Sequence, residues 1–142
     1  MKAMDDPFNL QRFVDAQDPV FKEVCSELRV GCKRGHWMWF VFPQITGLGH
    51  SPMANQYAIS SRDEAVAYVK HAILGQRLRE CTQLVNSVKG RSAEQIFGQI
   101  DNLKFRSSMT LFAHATSDNQ IFNQAVLKYY GGMFDSLTLE KL

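Results

Sequence analysis

One histidine of this chain lies in an unusually aromatic stretch, GHWMWFVFPQ, which covers residues 35–44. His36 is followed there by Trp37 and Trp39, and Lys33 precedes it closely. An imidazole can transfer protons near neutral pH, a lysine can neutralise an anion, and indole rings pack against planar groups. Pockets for small planar ligands combine an aromatic wall with a few polar groups in this way. The stretch therefore predicts a ligand cleft in which His36 is the candidate acid or base.

A second polar pair lies in the segment DNLKFRSSMTLF, which begins at Asp101. Lys104 and Ser108 are four residues apart and share one side of a helix, while the apolar residues of the segment take the other side. A cation beside a hydroxyl can hold a phosphate or a carboxylate, and a serine bonded to its own helix is the alternative. Asp101 is predicted to cap the helix, with a role as a second acidic group of the site as the alternative.

Metal and cofactor motifs are not evident. Cys25, Cys32 and His36 are separated by six and three residues, a spacing that matches no common zinc pattern. The sequence GLG at residues 47–49 is too short for a dinucleotide-binding loop, and there is no phosphate loop or nucleophile elbow. We therefore predict neither a metal nor a cofactor.

The elements that must position these residues are predicted to be helices. Helix-start signals, in which a capping residue precedes a proline or stands three residues before a Glu or Gln, occur at Asp6, Asp18, Ser51, Ser61, Ser92 and Ser117. Apolar residues recur at helical spacing between these signals, most regularly from Leu74 to Val88, and glycines follow several of the segments. No segment alternates with a period of two. The sequence predicts an all-α fold, a single domain over residues 1–142 with about seven or eight helices.

The aromatic stretch itself is predicted to be a short buried helix from about Gly35 to Val41, ended by Pro43. As a strand it would have two apolar faces, and no other segment supplies the sheet that such a strand needs. Burial of the whole stretch in the core is an alternative to a cleft, because aromatic side chains are mostly core residues.

Composition and charge argue against a nucleic-acid-binding, membrane or exported protein. The chain has 142 residues, 45% hydrophobic residues and a net charge of +2, with basic residues interleaved among acidic ones. Nucleic acid is therefore an improbable partner, and no apolar run is long enough for a membrane span or an export signal. The three cysteines lie in apolar or mixed surroundings, which is typical of reduced thiols. We expect a cytoplasmic protein, with homo-oligomer formation left open.

Six segments follow one another along the chain: DPFNLQRFVDAQ, HWMWFVFPQ, GLG followed by Ser51, HAILGQRLREC, IFG and DNLKFRSSMTLF. In this order and spacing they resemble the bacterial domain-of-unknown-function 1810 family. The resemblance covers nearly the whole chain and implies a compact, multihelical, single-domain protein without an assigned activity. Positions that match those characteristic of the family are Phe13, Ala16, Gln17, Lys33, His36, Trp37, Trp39, Phe42, Pro43, Gln44, Gly47, Gly49, Ser108, Met109 and Phe112.

The chain is also similar in style to helical N-glycosidase-like proteins of NAD and ADP-ribose chemistry, which combine an early Phe and Ala-Gln helix with aromatic and basic residues. No catalytic residue comes with either resemblance.

The functional hypothesis is that a cleft binds, and in one version hydrolyses, a small anionic, ring-containing ligand such as a nucleotide or an ADP-ribose derivative. His36 is the candidate catalytic residue, and the predicted ligand contacts are Lys33, Trp37, Trp39, Gln44, Lys104 and Ser108. One alternative is a protein-interaction module whose exposed aromatic rings and Met38 dock a partner. The other is that the aromatic residues are purely core and form no ligand site.

Overall fold

The computed structural model describes residues 5–142 and is all-α, as predicted. Its ten helices in this part of the chain are α1 (Gln11–Gln17), α2 (Phe21–Val30), α3 (Met38–Val41), α4 (Pro52–Gln56), α5 (Arg62–Lys70), α6 (Leu74–Asn86), α7 (Ala93–Phe97), α8 (Asp101–Ala113), α9 (Gln120–Tyr130) and α10 (Ser136–Glu140). The number exceeds the predicted seven or eight because four of them, α3, α4, α7 and α10, contain only four or five residues. The prediction that the chain has no export segment rests partly on residues 1–4, which lie outside the described residues.

Helix α8 lies at the centre of the fold. It packs against α5, α7, α9 and α10, and every residue from Ser107 to Ala113 is buried. A helix that is surrounded by neighbours in this way needs apolar or internally bonded side chains on all sides. Thr110 meets this requirement by donating its hydroxyl to the carbonyl of Arg106 at 2.8 Å. The N-terminal turn of α8 lies at the surface, so the helix runs from the surface into the core.

Helix α6 forms the second long layer, between α2, α5 and α9. The apolar seam predicted from Leu74 to Val88 is buried, including the thiol of Cys81, although the helix itself ends at Asn86. Gly75 permits a close approach to the preceding helix, because a Cβ atom at this position would lie 2.2 Å from the carbonyl oxygen of Val69. None of the ten helices combines the length and the apolarity that crossing a membrane requires.

Three of the predicted N-caps are present. The hydroxyls of Ser51, Ser61 and Ser92 accept hydrogen bonds from backbone amides in the first turns of α4, α5 and α7. Only the cap of Ser92 is a full capping box, in which Gln95 accepts from the amide of Ser92. The Glu64 carboxylate instead accepts from the amide of Ser60 and from Arg12, because it is drawn towards the cation of α1.

The other start signals correspond to different contacts. Asp6 accepts from the amides of Leu10 and Gln11, so it orders the turn before α1 and the helix begins later than its proline suggested. Asp18 forms an ion pair with Arg77 at 2.8 Å instead of capping α2. Ser117 also makes no cap, because α9 begins after Asn119, whose side chain donates to the end of α8. Of these three residues, Asp18 has exchanged a local cap for a distant partner. Asp6 bonds amides four and five residues onward, and the start of α9 is shifted to Asn119.

The aromatic stretch forms the single turn α3, shorter than the predicted helix. Most of the stretch belongs to the core: Trp37, Met38, Phe40, Val41 and Phe42 are each at most 7% exposed. After Pro43 the chain extends, and Ile45 pairs with Ile59 in an isolated parallel bridge. One side of the stretch is therefore buried, whereas His36 is exposed and the indole of Trp39 is partly exposed.

Candidate functional site

Four of the predicted site residues line one surface groove of about 440 Å³, which we call the basic groove. Lys33, His36 and Trp39 contribute its α3 side. The opposite side is the turn between α7 and α8 together with the start of α8. The lining residues are Lys33, His36, Met38, Trp39, Phe97, Gly98, Gln99, Ile100, Asp101 and Lys104. Residues distant in sequence thus meet at one concave surface.

A single carboxylate holds the two lysines of the groove. Lys33 Nζ lies 2.9 Å from Asp101 Oδ2, and Lys104 Nζ lies 3.5 Å from Asp101 Oδ1. Lys33 also donates to the carbonyl of Gly35, and its side chain is only 8% exposed. The prediction that Asp101 caps α8 is wrong: Ile100 occupies the N-cap position without a side-chain cap, and Asp101 lies in the first turn. Its charge there is favourable to the helix dipole, and its oxygens are free to pair with the lysines.

Two lysines and one aspartate give this cluster a net positive charge without any contribution from His36. His36 is exposed and lines the groove, and within residues 5–142 its imidazole has no hydrogen-bond partner. An imidazole in this position is accessible to a bound molecule. The His36 side chain is therefore open both to solvent and to the groove.

The two tryptophans have different environments. Trp39 is half-buried and lines the groove, with Lys104 Nζ 5.4 Å from its ring centroid. Trp37 is only 3% exposed and does not line the groove. Only one of the two indoles that were expected to form the wall therefore lines the groove, because residues two positions apart at the start of a helical turn point to different sides.

Trp37 instead anchors the segment that carries the groove residues. The Glu27 carboxylate of α2 accepts three hydrogen bonds at one oxygen, from the amide of Arg34 at 2.8 Å, the amide of Gly35 at 2.9 Å and the indole of Trp37 at 2.9 Å. Burial raises the pKa of Glu27, but these bonds and the charge of Lys33 outweigh it, so the pKa lies below its usual range. Glu27 thus ties the start of the aromatic stretch to α2.

Ser108 does not belong to the groove. It is fully buried, and within residues 5–142 its hydroxyl has no hydrogen-bond partner, so the alternative of a bond to its own helix is absent too. Lys104 and Ser108 lie on one side of α8 as predicted. That side passes from the surface into the core within one turn, so the lysine is accessible and the serine is not.

Gln44 lies beside the groove and does not line it. It borders a hollow of about 10 Å³ with Trp39 and Lys104, and a separate compartment of about 330 Å³ near α10. Lys104 borders both of these hollows as well as the basic groove. Gln44 is therefore a neighbour of the groove on the far side of Lys104.

Two structural roles were missed from the sequence. Glu27 is a polar residue on α2 with no local motif around it, and only its contacts reveal its function. Asp101 was identified, but not as the counter-ion of Lys33, which is 68 positions away in the chain. Within residues 5–142 no three side chains of the types His, Cys, Asp and Glu come together as metal ligands would.

Comparison with known proteins supports one assignment. Residues 7–142 match the family described as "Protein of unknown function (DUF1810)". The crystal structure of the conserved hypothetical protein Rv1873 from Mycobacterium tuberculosis is similar, with 61% sequence identity and a TM-score of 0.96, covering 96% of this chain and 98% of that chain. No curated protein matches the chain. The match over nearly the whole chain shows that this protein belongs to the DUF1810 family.

Proposed function

We propose that the basic groove binds a small anionic ligand that contains a planar ring, such as a nucleotide or an ADP-ribose derivative. The observation that carries the proposal is the convergence of Lys33, His36, Lys104 and the half-buried ring of Trp39 on one concave surface. The volume of about 440 Å³ falls in the range of small-molecule sites, which is about 300–1,000 Å³.

Each lining residue has a distinct role in this proposal. Trp39 packs against the ring of the ligand, and Lys104, 5.4 Å from the same indole centroid, receives a phosphate close to that ring. Lys33 adds a second positive charge from the opposite side of Asp101. Asp101 keeps the two ammonium groups near each other in the absence of ligand.

Hydrolysis of the ligand is an extension of this proposal. His36 is then the proton-transferring group, because it is exposed and faces the groove. Asp101 is less suited to this role, since its two oxygens are each paired with a lysine.

The burial of the aromatic stretch disfavours a protein-interaction module built from it. Met38 is 1% exposed, and Trp39 is the only large side chain from Trp37 to Phe42 that is not buried. An exposed patch of these residues would need them at the surface. Cytoplasmic location remains our proposal for the protein, and the free thiols of Cys25, Cys32 and Cys81 are compatible with it.

Isothermal titration calorimetry with AMP, ADP-ribose and ribose 5-phosphate tests the ligand class. We expect at least one of the ring-containing probes to bind, and Lys104→Ala to weaken its binding by about tenfold, as loss of a charge-assisted bond does. Trp39→Ala should weaken AMP and ADP-ribose more than ribose 5-phosphate, which has no base to pack against the indole. Lys89→Ala is the matched control, because Lys89 is an exposed lysine away from the groove.

The hydrolytic extension needs a separate measurement. Product formation from a bound probe should be lost in His36→Gln while the affinity for that probe changes little, since the imidazole acts in the reaction step. Absence of binding by all three probes at millimolar concentration would refute the ligand proposal. Equal loss of affinity in Lys104→Ala and Lys89→Ala would refute the assignment of the site.

A further inference from the structure

A second compartment lies directly beside the basic groove. It has a volume of about 330 Å³ and is formed by the start of α8, the loop that contains Leu48 and Gly49, and helix α10. We call it the apolar compartment, after the side chains of Leu48, Ile100, Leu103 and Leu137 in its lining. Ile100 and Lys104 line both the groove and the compartment, so the two hollows are adjacent along α8.

Large apolar side chains are exposed at this place. Ile100 is 71% exposed, Leu103 is 59% exposed and Leu137 is 57% exposed. Single exposed leucines are common on protein surfaces, but a group that converges on one hollow marks a surface that is covered in use. Apart from Gly49, the remaining lining residues are polar or charged and form a polar rim: Gln44, Lys104, Arg106, Ser107 and Asp135.

Of the charged side chains near the compartment, only Lys104, at the end that adjoins the basic groove, is placed to bind an anion. Arg106 donates to the carbonyls of Met133 and Phe134, and Asp135 accepts from Ser107 and Thr138, so both are engaged in holding α10. Lys104 is the cation that stands between the groove and the compartment. A molecule with its phosphate at Lys104 therefore has an aromatic surface on one side and an aliphatic surface on the other.

We infer that the ligand carries an aliphatic arm beyond its anionic group, as an alkyl or acyl ester of a nucleotide does. This inference rests on the proposed function and adds a ligand class to it: the ring lies at Trp39, the phosphate at Lys104 and the arm along Leu103 and Leu137. One small molecule is favoured over a protein partner because the compartment continues the groove. A volume of about 330 Å³ lies in the range of small-molecule sites, which is about 300–1,000 Å³, whereas a protein–protein interface covers about 800 Å² of each partner.

Two probes with the same charge test the arm. They are the methyl and the decyl phosphodiesters of adenosine 5′-monophosphate, which differ only in the length of the alkyl group. On the unmodified protein we expect the decyl ester to bind at least about tenfold more tightly than the methyl ester, because burial of methylene groups is favourable. Isothermal titration calorimetry below the aggregation concentration of the decyl ester measures both affinities.

Matched variants show whether the leucines of the apolar compartment provide the extra affinity for the decyl ester. In Leu103→Gln with Leu137→Gln, the affinity for the decyl ester should fall to that for the methyl ester, while the affinity for the methyl ester stays unchanged. Both leucines are exposed, so these variants retain the core. Leu127→Gln is the control, because Leu127 is 68% exposed on α9 and outside the compartment, and it should keep the full preference for the decyl ester.

The outcomes separate the two proposals. Binding of both esters with equal affinity would overturn the aliphatic arm and leave the ring-and-phosphate site standing. A preference for the decyl ester that survives in the double variant, or that falls equally in Leu127→Gln, would also overturn the arm. Binding of neither ester by a protein that binds AMP would overturn the arm alone, whereas absence of binding by the esters and by AMP, ADP-ribose and ribose 5-phosphate would overturn the site and the arm together. A shift from dimer to monomer in the double variant, measured by analytical ultracentrifugation, would assign the leucines to contact with a second copy of this chain and overturn the arm.

Discussion

Glu27 Oε1 accepts a hydrogen bond of 2.9 Å from Trp37 Nε1 and thereby joins helix α2 to the segment that carries the basic groove. The same oxygen accepts from the amides of Arg34 and Gly35. Three donors on one carboxylate oxygen fix the path of the chain just before His36. The position of the candidate acid–base residue thus depends on a residue that does not touch the groove.

Replacement of this carboxylate should destabilise the protein. Glu27→Ala leaves two amides and an indole without their acceptor, and we expect the free energy of unfolding to fall by about 1.5–3 kcal/mol, the range for bonds to a charged group. Urea denaturation followed by tryptophan fluorescence measures it. The control Glu23→Ala removes an exposed carboxylate from the first turn of the same helix and should lower the free energy by at most about 1 kcal/mol, the range for a charge at a helix N-terminus. Equal effects in the two variants would contradict the role of Glu27.

The lowered pKa of Glu27 predicts a pH dependence. Because the folded protein holds this pKa below its value in the unfolded chain, the carboxylate contributes stability above the unfolded pKa. That contribution is lost as the pH falls through the folded pKa. The difference in free energy of unfolding between the unmodified protein and Glu27→Gln should therefore be constant near neutral pH and should shrink below about pH 4.5. A difference that stays constant down to pH 3 would show that the carboxylate charge contributes nothing.

A buried amide links three helices and should be sensitive to substitution. Gln17 of α1 is 2% exposed and donates to the carbonyl of Phe40 at 2.7 Å and to the hydroxyl of Tyr68 at 3.1 Å. Gln17→Leu leaves a buried carbonyl without its donor, and we expect a loss of about 1–3 kcal/mol in the free energy of unfolding. Tyr68→Phe, which removes one acceptor and keeps the ring, should cost less. The urea midpoints of the two variants and of the unmodified protein measure these losses, provided that the m-value is unchanged. A Gln17→Leu variant as stable as the unmodified protein would refute the prediction.

Gly75 supplies a prediction in which two effects oppose each other. Within a helix, alanine is more favourable than glycine by about 1 kcal/mol, so propensity alone predicts that Gly75→Ala stabilises α6. The new methyl group would lie 2.2 Å from the carbonyl oxygen of Val69, which forces the backbone to move. We expect a net destabilisation of about 1–3 kcal/mol. Thermal unfolding measures it, with Gln76→Ala at the adjacent exposed position as control. A higher melting temperature for Gly75→Ala would show that the two helices separate at little cost.

Local patterns predicted much of the fold. The all-α class follows from apolar spacing, and Ser92 and Gln95 form the predicted capping box. The apolar seam from Leu74 to Val88, which continues beyond the end of α6, is buried as predicted. These features depend on residues within one or two turns of each other, and the geometry of a single helix is enough to determine them. The same rule failed at Asp18 and Asp101, because a distant lysine or arginine was a better partner for the carboxylate than a local amide.

The sequence by itself determined which side chains are candidates for chemistry: a histidine, a lysine and two indoles in or beside the aromatic stretch, and a second lysine in the segment that begins at Asp101. Only the tertiary structure decided that Trp39 faces the groove while Trp37 is buried against Glu27, and that Asp101 joins Lys33 to Lys104. Ser108 was separated from Lys104 in the same way, since α8 passes from the surface into the core between them. The physical reason is that helical periodicity assigns a residue to a face of its own helix. The packing of distant helices then decides whether that face is exposed to solvent, to a groove or to the core.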